Sequence, residues 1–132
     1  MHLHFYENAT EVVLLVFLFI VFLQSGIDKI IDFKGNLSWL KGHFSKSILK
    51  KSVPVLLISI TLFELATALL SLAGLLHLLL HNNKTFVFYG ALAACTTLLM
   101  LLFGQRIAKD YEGARTIVVY LIPAVFLLFL VQ

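Results

Sequence analysis

The sequence predicts an all-α membrane protein: a bundle of four transmembrane helices with an interfacial amphipathic helix in the first loop. Three observations carry this reading. The 132 residues are 61% apolar and 13% charged, more apolar surface than a soluble domain of this size can bury, because small domains keep a large surface-to-volume ratio. The apolar residues gather into long runs close to the roughly 20 needed to cross a hydrocarbon layer of about 30 Å. Finally, no ten-residue segments of alternating polarity appear, which leaves helices as the spanning element.

The first span is expected over residues 12–31, the second over 53–80, the third over 85–104 and the fourth over 116–131. The opening residues MHLHFYENATE lack the basic segment and short apolar stretch of a cleavable signal, so the first run is expected to stay as a permanent helix. Ser52 and Pro54 suit the start of the second span. That span is longer than the layer requires, so it must tilt, kink or project into water. Asn82 and Asn83 end it with a tight turn, and Pro123 is expected to bend the fourth span. One domain, residues 1–132, accounts for the chain, without repeats or linkers.

Of the ten Lys and Arg residues, all but Lys84 fall on the side that holds the first and third loops. The positive-inside rule places loops 32–52 and 105–115 in the cytoplasm and both termini outside. The first loop reads FKGNLSWLKGHFSKSILKK, with Leu37, Leu40, Phe44 and Ile48 on one helical face. Ser38, His43, Lys46 and Lys50 fall mostly opposite. Segment 35–50 is therefore expected to lie in the headgroup layer, Trp39 at the interface and the lysines toward anionic lipid. The basic residues follow topology, and nothing in their pattern suggests nucleic acid.

Within the second span, ITLFELATALLS holds Glu64, with no cationic residue within ten positions on either side. It lies roughly 16 Å along the helix from Val53, near mid-bilayer. A charge there costs at least about 2.5–3.5 kcal/mol, so the carboxylate must face the interior and either pair or stay protonated. Thr61, Glu64, Thr67, Ala68 and Ser71 form a polar, small-residue stripe. On the third span Gly90, Ala94, Thr97 and Gly104 form a comparable stripe that permits close backbone approach. The first span ends in QSGIDKIIDF, where Gln24 and Asp28, and Ser25 and Lys29, are spaced i and i+4. The third ends in GQRIAKDYEGAR. If the helices are antiparallel neighbours, Gln24, Ser25, Asp28, Lys29, Gln105 and Arg106 gather above Glu64, although long cationic heads usually snorkel outward.

SGIDKIIDF at the end of the first helix, the glutamate in the second and GQRIAKDYEGA after the third together resemble the DoxX-like family of small bacterial four-helix membrane proteins. The resemblance runs over nearly the whole chain, and the long basic first loop departs from it. It implies the bacterial inner membrane and a membrane-linked redox system. Some members resemble quinone-reducing subunits of thiosulfate oxidation, and others are partners of antioxidant enzymes. By position it marks Gly26, Lys29, Glu64, Gln105 and Arg106 as the site, with a quinone as its implied ligand and a protein partner or larger membrane complex around it.

Alternatives stay open at this level. Glu64 is either a ligand-binding or proton-handling carboxylate or one half of a structural ion pair with Arg106 or Lys29. His77 and His81, one turn apart, have the spacing of a metal pair that His2 and His4 could complete, against the simpler reading of interface histidines. Cys95 reads as a small packing residue. Three functions follow: a redox-associated, quinone-interacting subunit, which if enzymatic would be part of a quinone-linked oxidoreductase; a structural or accessory subunit; and a small proton-coupled transporter. No soluble-enzyme constellation is present.

Overall fold

The computed structural model describes residues 4–132 and contains five α-helices: α1 (Ala9–Ile31), α2 (Phe33–His43), α3 (Val53–His81), α4 (Thr85–Ile107) and α5 (Tyr111–Val131). His2 lies outside the described residues. Four of the helices are long and apolar enough to cross a membrane. Their outward faces carry residues such as Val13, Ile20, Leu62, Leu69, Val119 and Phe129, all more than half exposed. Large side chains of this kind normally lead the buried set in a soluble protein. Outward aliphatics around a core that includes glutamate, threonine and serine mark an integral membrane protein.

The helix ends follow local chemistry. Asp32 caps α2 by accepting the Gly35 N–H at 3.2 Å, and Asp110 caps α5 by accepting the Gly113 N–H at 2.9 Å. The second cap starts α5 five residues earlier than Thr116, because its polar first turn reads as loop in a hydropathy pattern. Similarly, α4 continues past Gly104 to Ile107, and α1 begins at Ala9 rather than Val12. Asn82 closes α3 in the left-handed conformation at φ 51°, and the Asn83 N–H reaches back to the His77 carbonyl. The 29 residues of α3 span about 43 Å at 1.5 Å each. α5 remains helical on both sides of Pro123.

The helix of the first loop, α2, covers only part of the segment 35–50 expected to be helical. It stops at His43, because Ser47 offers the backbone a competing partner: its hydroxyl donates to the Phe44 carbonyl and accepts the Leu49 N–H, both at 3.1 Å. Phe44 turns inward and is buried, while Ile48, expected on the same face, is 87% exposed.

α3 packs against both α1 and α4, α4 packs against α5, and α5 makes a lighter contact back to α1. The α3–α4 seam is built from small residues. Thr67, Ala68, Ser71, Ala91, Ala94 and Thr97 are fully buried, and the Thr67 and Thr97 hydroxyls meet at 3.2 Å. A methyl on Gly74 would stand 3.0 Å from the Val87 Cα, and one on Gly90 would stand 3.3 Å from the Ser71 nitrogen. At the end away from α2, the Asn8 amide donates to Asn82 at 2.8 Å and Glu11 lies 3.3 Å from the Lys84 ammonium, tying α1 to the α3–α4 turn.

This seam generates the first prediction. Gly74→Leu should destabilise the detergent-solubilised protein by at least about 1–3 kcal/mol through overpacking against backbone. Gly42→Ala, where nothing lies within 4 Å of the new methyl, should leave stability unchanged or raise it by about 0.5–1 kcal/mol. Thermal or denaturant unfolding of the two variants checks the contrast.

Candidate functional site

Glu64 lies on the α3 face that α1 covers and is 2% exposed. Gly26 packs against Leu65 of α3, where an added Cβ would stand 2.6 Å from Leu65 Cδ2 and displace that side chain. α1 supplies the partners on either side of this contact, Ser25 immediately before Gly26 and Lys29 three residues after it. The Ser25 hydroxyl donates to Glu64 Oε2 at 2.6 Å, and the Lys29 ammonium stands 3.0 Å from Oε1. Lys29 also donates to the Ser25 hydroxyl at 3.0 Å, closing a three-residue ring. The ammonium is off the line that a hydrogen bond to Oε1 needs, so that contact is an ion pair and Oε1 is left without an aligned donor. Ser25 and Lys29 belong to the last two turns of α1. The carboxylate therefore sits toward the α1 C-terminal end of the bundle, nearer that end than its place along α3 alone suggests.

The wider gathering expected from the sequence divides into separate clusters. α3 lies between α1 and α4, so the ends of α1 and α4 do not meet as neighbours. Gln24 and Asp28 are exposed. Arg106 is exposed as well and stacks its guanidinium over the Tyr111 ring at 4.6 Å, away from Glu64. Gln105 joins a cluster that sequence reasoning did not assemble. Its Oε1 lies 2.9 Å from His43 Nε2, and Asp110 Oδ2 lies 3.6 Å from the same nitrogen. Trp39 stacks on the His43 ring at 4.5 Å, and Phe44 meets it edge-on at 5.1 Å. Among the described residues, His43–Gln105 is the one side-chain hydrogen bond from α2 to the bundle. The only advance signal for it was a histidine on the polar face of the loop helix.

Between these two clusters lies a pocket of about 510 Å³. The end of α2 roofs it through Leu40 and His43, with Phe44 just after the helix, and α3 and α4 wall it with Leu57, Ile60, Leu99, Met100 and Phe103. Leu99 and Phe103 are 53% and 62% exposed, so the apolar wall opens sideways onto the surface that faces lipid. Lys29, His43 and Gln105 all line the pocket. The volume falls within the roughly 300–1,000 Å³ range of small-molecule sites, and an apolar slot with a few convergent polar groups is their usual form.

The histidine pair at the far end is less suited to a metal. His77 Nδ1 is bonded to the Ala73 carbonyl at 2.8 Å, its ring packs on Phe86 at 4.7 Å, and the His81 ring centre is 6.1 Å away. Among the described residues, no group of three His, Cys, Asp or Glu side chains gathers to hold a metal ion. Cys95 is buried in the core with Leu98 and Ala94.

Compared with protein-family models, with curated proteins and with solved structures, the chain matches none.

The ion pair predicts an asymmetric mutational response. Lys29→Met strands a buried carboxylate and should cost about 3–5 kcal/mol. The double variant Lys29→Met with Glu64→Leu should recover most of that loss, because it removes both charges. Denaturant unfolding in detergent checks this, and a double variant no more stable than Lys29→Met would overturn the expectation.

Proposed function

We propose that this chain is the membrane subunit of a redox system, as its resemblance to the DoxX-like family implies, and that it binds a quinone or another lipid-like ligand beside Glu64. The observation that supports the reading best is the pocket under α2: apolar side walls, access from the lipid-facing surface, and the Lys29 ammonium held at its inner end by Glu64. These residues suit a quinone. Its prenyl tail would lie along Leu99, Met100 and Phe103, and its ring carbonyls would accept from Lys29 or the Gln105 amide. Bound there, a quinone would supply the electron-carrying chemistry that the side chains themselves lack. Lys29, held by Glu64, would present a fixed donor to the headgroup, while the apolar walls keep water from it.

A second reading has its own support. Glu64 is paired with Lys29, accepts from Ser25 and is not among the residues lining the pocket, as expected of a carboxylate that fixes helix register in an accessory subunit. In either case the excess of Lys and Arg on the α2 side orients that side toward the cytoplasm of a bacterial inner membrane.

Two experiments test the proposal. Native mass spectrometry of the gently purified protein should find a co-purifying quinone or similar lipid, reduced or absent in Glu64→Gln. A tightly held partner protein with no small ligand in either sample would instead support the accessory reading. For orientation, a cysteine introduced at Lys46 should resist a membrane-impermeant thiol reagent in intact cells, whereas one at His81 should react. The reverse pattern would overturn the assigned topology.

A further inference from the structure

Resting on the reading of this pocket as a ligand site, we infer that it selects an amphiphile with an uncharged, hydrogen-bonding headgroup, and that His43 and Gln105 are headgroup-contacting residues beside Lys29. Charge balance at Lys29 selects the headgroup. Lys29 is the cation that lines the pocket, and it is already matched by Glu64 at 3.0 Å. An anionic headgroup that took Lys29 for itself would leave a carboxylate 2% exposed and without its counter-ion, which is the costly outcome for a buried pair. It would also bring a negative charge toward Asp110, whose Oδ2 stands 3.6 Å from His43 Nε2. A cationic headgroup would meet the Lys29 ammonium directly. A carbonyl or hydroxyl headgroup meets neither difficulty.

The polar groups on the pocket wall match such a headgroup. The contact of His43 Nε2 with Gln105 Oε1 at 2.9 Å requires the imidazole proton on Nε2, because a carbonyl oxygen only accepts. In the neutral ring Nδ1 is then an acceptor, while Lys29 is a donor. Donor and acceptor residues together line one apolar slot: a hydroxyl at the end of a hydrocarbon chain can use both and a carbonyl the donor, whereas a bare alkyl chain can use neither.

Trp39, the single tryptophan of the chain, stacks on His43 at 4.5 Å and reports on this end of the pocket. The test is quenching of its fluorescence in nanodiscs of zwitterionic lipid by a matched pair of probes. These are a long-chain alcohol and the carboxylic acid of equal chain length, each brominated on the carbon next to the headgroup carbon. Saturable quenching, reversed by the unbrominated alcohol, is expected for the alcohol at a concentration at least tenfold lower than for the ionised acid. Gln105→Leu should weaken the alcohol several-fold, while the exposed control Glu112→Gln should not. Equal or tighter binding of the acid would overturn the headgroup assignment and leave the pocket reading standing. Binding of the alcohol unchanged in Gln105→Leu would remove Gln105 from the site and overturn its part of the assignment. If neither probe gives saturable quenching, the pocket reading itself fails, and this inference with it.

Discussion

The structure depends on how one carboxylate is kept inside a hydrocarbon environment. An ionised glutamate in the middle of an apolar helix must be paired, and α3 has no cation of its own near Glu64. The partner has to come from another helix, and it comes from the last turns of α1 as a serine and a lysine one turn apart. This requirement sets the register of α1 against α3. It also fits the glycine between the two partners: Gly26 leaves room for the Leu65 side chain of α3 beside the carboxylate that Ser25 and Lys29 reach. Lys29 thus does the opposite of the outward snorkelling expected for a lysine near a helix end.

The other side of α3 is held by a different kind of contact. In lipid there is little hydrophobic gain from joining two apolar helices, so close backbone approach and interhelical hydrogen bonds have to provide the adhesion. The Thr67–Thr97 contact and the glycines at 74 and 90 supply both. α3 therefore uses one face for a charged contact and the other for a small-residue seam, which makes it the element on which α1 and α4 are both aligned.

The pocket is a consequence of α2 stopping early. Once the chain leaves the helix at His43, Phe44 folds inward and His43 bonds Gln105 near the end of α4, so residues of α2, α3 and α4 line one pocket. The Asp110 cap contributes twice. It starts α5 through the Gly113 N–H, and its other oxygen faces the His43 ring. A local capping residue is thereby linked to the roof of the pocket.

Four long helices, their order and the membrane environment were legible in the sequence, because hydropathy and charge asymmetry are sums over neighbouring residues and need no knowledge of contacts. The need of Glu64 for a polar partner was legible for the same reason. Which partner it takes was not: Arg106 and Lys29 were equally available on charge alone, and only the placement of α3 between α1 and α4 sends Lys29 inward and leaves Arg106 on Tyr111. The boundaries of α2 and α5 turned on hydrogen bonds to the backbone made by the side chains of Ser47 and Asp110, which carry no hydropathy signal. The cluster of His43, Gln105 and Asp110 joins residues some sixty positions apart. A pattern read along one chain direction registers what each helix is, whereas the site is made where faces of different helices meet, and that is decided by tertiary packing.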